Sequence, residues 1–184
     1  MSRGRSILQL IGPAAMLFSG LAWANPEPDL PVSCAFDDKG NAVITVDVDP
    51  RCFTAEPLFE RYLMKVDLNQ RSAAELDVLK QQALSAIRQW LHFESEPPSE
   101  WKPQFTLAFT GIAGSKLENH DDPVVIQATW KFHLPGKRWR VRLSSDCPFA
   151  AIICYKIHGK TLDRKATLFP NEAAYWLDLP ATSD

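Results

Sequence analysis

Residues 123–144, PVVIQATWKFHLPGKRWRVRLS, restrict the fold more than any other stretch of the chain. Val124, Ile126, Ala128, Trp130, Phe132 and Leu134 share one parity, and Val125, Gln127, Thr129, Lys131 and His133 share the other. Successive side chains of a strand point to opposite faces, so this pattern predicts a strand with one buried face and one wet face. Beyond Pro135 and Gly136, Trp139, Val141 and Leu143 alternate with Arg138, Arg140 and Arg142. A turn followed by a second alternating run predicts a hairpin. Loops of two or four residues give it the same register. Phe132 then lies opposite Trp139, Trp130 opposite Val141 and Ala128 opposite Leu143 on the apolar face. On the other face His133 meets Arg138, Lys131 meets Arg140 and Thr129 meets Arg142. Like charges directly opposite destabilise a sheet, so the basic strip of Lys131, Arg138, Arg140 and Arg142 needs a reason. Either carboxylates such as Glu94, Glu96 or Glu100 interleave with it, or it meets an anionic partner: a lipid headgroup, an acidic polysaccharide or an acidic protein surface.

The rest of the chain supplies partners for these strands. Residues 32–36 and 42–48 flank the turn cluster Asp37-Asp38-Lys39-Gly40-Asn41 and predict a first hairpin, with Ile44, Val46 and Val48 inward. Asp47 and Asp49 at its end read as a solvated strand terminus. From Thr54 the period lengthens: Phe59, Tyr62, Leu63 and Val66 predict a short helix ending near Lys65. Ser72 with Glu75 three positions later is a capping box, and Leu76, Leu79, Ala83, Ile87, Trp90 and Leu91 form the apolar stripe of a longer helix. Pro97 and Pro98 close this helical unit. Strands resume at 103–110, 149–157, 162–169 and 173–179. The fold class expected is mainly β, an immunoglobulin-like β-sandwich carrying an α-helical insertion at 54–93. The alternative is an α+β single antiparallel sheet covered by helices.

The N-terminus sets the compartment. Arg3 and Arg5 precede an apolar run at 7–21 and then Ala22-Trp23-Ala24, the pattern of a signal peptide cut before Asn25. Residues 1–24 are therefore read as a signal, 25–31 as an extended leader, 32–180 as one domain and 181–184 as a tail. The apolar run is too short to span a bilayer, and no transmembrane helix is expected in the mature chain. Localisation is periplasmic or secreted. Without the first 24 residues, 18 basic side chains face 22 acidic ones, a balance that argues against a nucleic-acid partner. Cys34, Cys52, Cys147 and Cys154 remain, an even count that in an exported chain points to disulfides. A continuous strand would hold Cys147 and Cys154 about 23 Å apart, which favours bonds between early and late cysteines. A turn within 148–151 would restore the local pairing.

The chain carries no G-x-S-x-G, H-E-x-x-H, phosphate-loop or dinucleotide-binding glycine pattern. The expectation is a non-catalytic protein that binds or supports another cell-envelope component through the basic strip. A hydrolase using His120 with Ser115 or Ser145 ranks third. His120, Asp121 and Asp122 place an imidazole beside two carboxylates, so a divalent metal is the one cofactor candidate. Trp90-Leu91-His92-Phe93, the strand containing Trp130, Phe132 and Leu134, and Thr167-Leu168-Phe169-Pro170-Asn171-Glu172 before Trp176-Leu177-Asp178-Leu179 together resemble the extracytoplasmic domain of hydrogenase/urease-accessory membrane proteins. That resemblance implies an accessory role in nickel or cobalt handling beside a separately encoded membrane partner, and it is the second functional reading.

Overall fold

The computed structural model describes residues 27–134, 137–162 and 165–179. The expected signal at 1–24, the turn residues 135 and 136 and the tail at 181–184 lie outside them. Among the described residues ten strands and two α-helices follow in order: β1 (Leu30–Phe36), β2 (Asn41–Val48), α1 (Lys65–Asn69), α2 (Ala73–Trp90), β3 (Leu91–Glu96), β4 (Thr106–Gly111), β5 (Val124–His133), β6 (Arg138–Leu143), β7 (Ala151–Ile157), β8 (Lys160–Thr161), β9 (Ala166–Leu168) and β10 (Leu177–Asp178). The fold is mainly β, as the alternating runs require.

Two sheets form. The larger has the order β4-β5-β2-β1-β7-β8, with β9 also on β7; the smaller has the order β10-β6-β3. β1 and β2 make the expected antiparallel hairpin, with Cys34 opposite Ile44. β1 also pairs in parallel with β7, Leu30 opposite Ala151. Residues on one parity of the central strands β5, β2, β1 and β7, among them Val32, Ile44, Val46, Ile126, Trp130 and Ile153, are buried and form the inner face of the larger sheet. The smaller sheet covers part of that face through Phe93, Trp139 and Val141. Helix α2 packs on β3, β4 and β5 through Ala83, Ala86, Ile87 and Trp90. The predicted capping box starts it: Ser72 Oγ accepts from the Glu75 N–H, and Glu75 Oε2 accepts from the Ser72 N–H at 2.8 Å.

The hairpin at 124–143 does not form. β5 pairs with β2 on one side and β4 on the other, while β6 pairs with β3 and β10 in the second sheet. Alternation dictates which face a strand buries, but it does not say whether an apolar neighbour lies beside the strand or across the core. Here the meeting is across the core. The Trp139 ring of β6 lies 6.4 Å from that of Trp130 and 5.4 Å from that of Phe132 on β5. The like-charge pairs vanish with the hairpin, because Lys131 stands opposite Val43, and Arg138 and Arg140 stand opposite Glu96 and Glu94.

Three further readings change. Residues 54–63 are turns instead of a helix, and α1 begins only at Lys65. Phe59, counted into the apolar stripe, is exposed, while Leu63 is buried and its carbonyl accepts from the Val124 N–H at 2.7 Å. Residues 91–96, taken as the helix terminus, are strand β3, with Leu91, Phe93 and Ser95 inward and His92, Glu94 and Glu96 outward. Asp47 and Asp49 are buried.

Candidate functional site

The outer face of the smaller sheet carries the arginines that the sequence singles out. Arg138 Nη1 donates to Glu96 Oε2 at 2.7 Å, and its Nε lies 3.0 Å from Asp178 Oδ1. Arg140 binds Glu94 Oε2 at 2.6 Å, and Arg142 Nε reaches the other oxygen of Glu94 at 2.9 Å. Trp176 lies against two of the three guanidinium groups, 5.2 Å from Arg138 and 4.3 Å from Arg140. Register explains the ladder: acidic and basic positions of β3 and β6 share the outward parity, so each guanidinium lands opposite or diagonal to a carboxylate. Of the four residues of the basic strip, three come together here and are balanced by Glu94, Glu96 and Asp178. Lys131 lies on the other sheet.

A second group of basic side chains gathers where α2 meets β3. Because α2 passes into β3 without a loop, Arg88 and His92 are held on either side of that junction. The segment leading from β3 to β4 brings Lys102 alongside. Together with Phe93, Trp101 and Phe105 these side chains line an open groove of about 620 Å³, and no carboxylate contributes to its wall. That volume lies in the range of small-ligand and peptide sites. Arg88, His92 and Lys102 are exposed and make no ion pair among the described residues. The aromatic side of the groove continues into the core: Phe93 lies 6.3 Å from Phe105, and Trp101 lies 5.0 Å from Phe132 and 5.5 Å from Trp139. An aromatic wall beside the exposed Arg88 and Lys102 suits an anionic ligand with an apolar body.

The candidate metal residues do other work. Asp122 Oδ2 accepts from the Glu118 and Asn119 N–H groups at 2.6 and 2.7 Å, closing the 118–122 turn, and these bonds hold its carboxyl below the usual range. His120 and Asp121 are exposed, and the His120 carbonyl accepts from the Val66 N–H. Among the described residues no three His, Cys, Asp or Glu side chains converge where a metal ion could sit.

All four cysteines are free thiols. Cys34 lies on the inner parity of β1 beside the Trp139 indole, and burial pushes its thiol up to about 12. Cys154 opposes Ser33 on the outer parity of β7, so those two sulfurs are on opposite faces of the sheet and cannot bridge. Cys52 and Cys147 share the core at the end of the sandwich where β2 finishes and β7 begins.

A second polar site escaped the sequence. Asp29, Asp47, Asp49, Arg51 and Tyr62 surround a hollow of about 220 Å³. Asp49 Oδ2 accepts from Arg51 Nε and Nη2 at 2.9 and 2.7 Å, while the guanidinium lies 3.8 Å over the Tyr62 ring. Asp47 accepts from Gln127 Nε2 at 2.9 Å, yet burial outweighs that bond and raises its carboxyl above the ordinary value. A carboxyl raised by burial binds its proton more tightly in the fold than in the open chain. Its contribution is therefore unfavourable at neutral pH and is relieved as pH falls through the raised value. Asp47→Asn is expected to increase the melting temperature at pH 7, with the gain disappearing by roughly pH 3, below the ordinary aspartate range. Thermal melts across that window check it; a variant less stable than wild type at pH 7 would count against burial as the dominant effect.

Compared with known proteins, the chain matches no family model and no curated protein.

Proposed function

We propose that this chain is an exported, non-catalytic domain that docks on another component of the cell envelope, an acidic protein, and that the groove beside β3 is its contact surface. The observation that carries the reading is the charge pattern: Arg88, His92 and Lys102 line an aromatic groove without a carboxylate among them. Unpaired charges around an apolar centre favour a complementary surface and speed its encounter. The arginine ladder is a weaker candidate, since its positive charge is met within the fold by Glu94, Glu96 and Asp178. Aromatic residues and arginine are also the types enriched where proteins dock. Export rests on the basic, apolar and small-residue pattern of the first 24 positions.

A photo-crosslinking side chain at Gln104, on the groove rim, tests the reading in intact cells. A discrete adduct is expected, and it should fade when Arg88→Glu and Lys102→Glu are combined. The same probe at Lys131, on the other sheet, serves as control. Equal adducts from both positions, or the protein recovered from the cytoplasm with residues 1–24 still attached, would end the proposal.

A further inference from the structure

β3 is the outermost strand of its sheet on the side away from β10. Backbone direction along it can be read from its neighbours. The Leu143 N–H donates to the Glu172 carbonyl and the Val141 carbonyl accepts from the Ala174 N–H, so the odd residues of β6 address the far side. Its even residues therefore address β3, where they pair with His92, Glu94 and Glu96. By elimination the peptide groups of Leu91, Phe93 and Ser95 point to the open edge. The Leu91 N–H is taken by the Ile87 carbonyl. Neither the N–H nor the C=O of Phe93 has a backbone partner on that side among the described residues. Buried main-chain donors and acceptors are nearly always paired, and Phe93 is a buried residue. This edge opens into the groove that Phe93 itself lines.

The geometry points to strand addition: the groove takes an extended peptide segment of the partner protein, which pairs with Phe93 along the free edge of β3. This inference rests on the reading of the groove as a protein-docking surface and specifies its occupant. The segment's side chains must alternate as those of β3 do, apolar ones toward Phe93, Phe105 and Trp101, acidic ones on the outward side, where Glu94 and Glu96 are already held by Arg138, Arg140 and Arg142 while Arg88 and Lys102 are left without an ion pair among the described residues. Charge decides the occupant. A rim carrying Arg88 and Lys102 and no carboxylate repels a basic segment and attracts an acidic one. Pro97 and Pro98 directly after β3 limit pairing to a short segment.

The probe is a capped hexapeptide of alternating valine and glutamate, titrated calorimetrically into the full mature chain, with hydrogen exchange followed at the Phe93 amide. Binding is expected, together with protection of that amide. The peptide N-methylated at every second residue, prepared in both phases, should bind roughly tenfold more weakly in one phase, because it keeps its charge but loses its ladder donors. Combining Arg88→Glu with Lys102→Glu should also cost roughly tenfold, and because both side chains are exposed the near-ultraviolet circular dichroism should not change. If both N-methylated forms bind as well as the parent, or citrate displaces the peptide at equal charge, strand addition is overturned and the groove is a simple anion site. Self-association of the unliganded chain with Phe93 already protected would make a second copy the occupant and overturn it as well. No peptide binding alongside a persisting crosslink at Gln104 would sink this inference alone, whereas loss of the crosslink would sink the docking surface itself.

Discussion

Truncating Trp139 to alanine should lower the unfolding free energy by about 3–5 kcal/mol, the usual cost of deleting a large aromatic side chain from a core. Trp139 is completely buried, and its ring lies within 6.4 Å of the rings of Phe36, Phe93, Trp101, Trp130 and Phe132. Those neighbours come from both sheets and from the segment before β4, so none can close the space without moving an element. For a domain of this size such a loss takes roughly 10 °C from the melting temperature. Urea unfolding of the variant measures it. A loss below about 1 kcal/mol would mean that the two sheets do not meet at this residue.

Arg51→Met should be comparably damaging for a different reason. Arg51 donates from Nε and Nη2 to Asp49 Oδ2, and both side chains lie almost wholly inside the protein. Removing the cation leaves a buried carboxylate without its countercharge, at a cost of about 3–5 kcal/mol. Adding Asp49→Asn should restore much of that loss, because the pair as a unit gives little net stability while either half alone is costly. A double-mutant cycle by urea unfolding checks the pattern. Additive losses would show that Arg51 acts through packing on Tyr62 instead of through charge.

These expectations could be written only in part from the sequence. Period-2 patterning announced β2, β4, β5 and β6 and their inner faces, since burial imposes that period on any half-covered strand, whereas β7, read as a continuous apolar run buried on both faces, in fact alternates. Partner choice was hidden. Trp130 and Trp139 had the right parity for neighbours in one sheet and equally for opposed positions in two, and only the competition among all strands decides. The like charges that the hairpin would have set opposite each other at Lys131 and Arg140 were a local signal against it. Residues 91–96 were obscured because α2 runs straight into β3, so Trp90 and Leu91 extended a helical stripe. Glu94 and Glu96 were named as candidate neighbours of the arginines, and the ladder bears that out. The groove left no signature, because Arg88, His92 and Lys102 lie on three different elements. Burial of Asp47 and Asp49 was likewise unreadable: it depends on Gln127, Arg51 and Tyr62, which approach from other segments.

One connection has a bearing on the order in which the chain can fold. The parallel ladder between β1 and β7 joins positions about 120 residues apart, so the first strand keeps a bare flank until most of the polypeptide has emerged. Contacts of such span form slowly, because the intervening loop must close first. The amino-terminal strand is therefore fixed among the last, and the larger sheet closes only when the carboxy-terminal third of the chain is present.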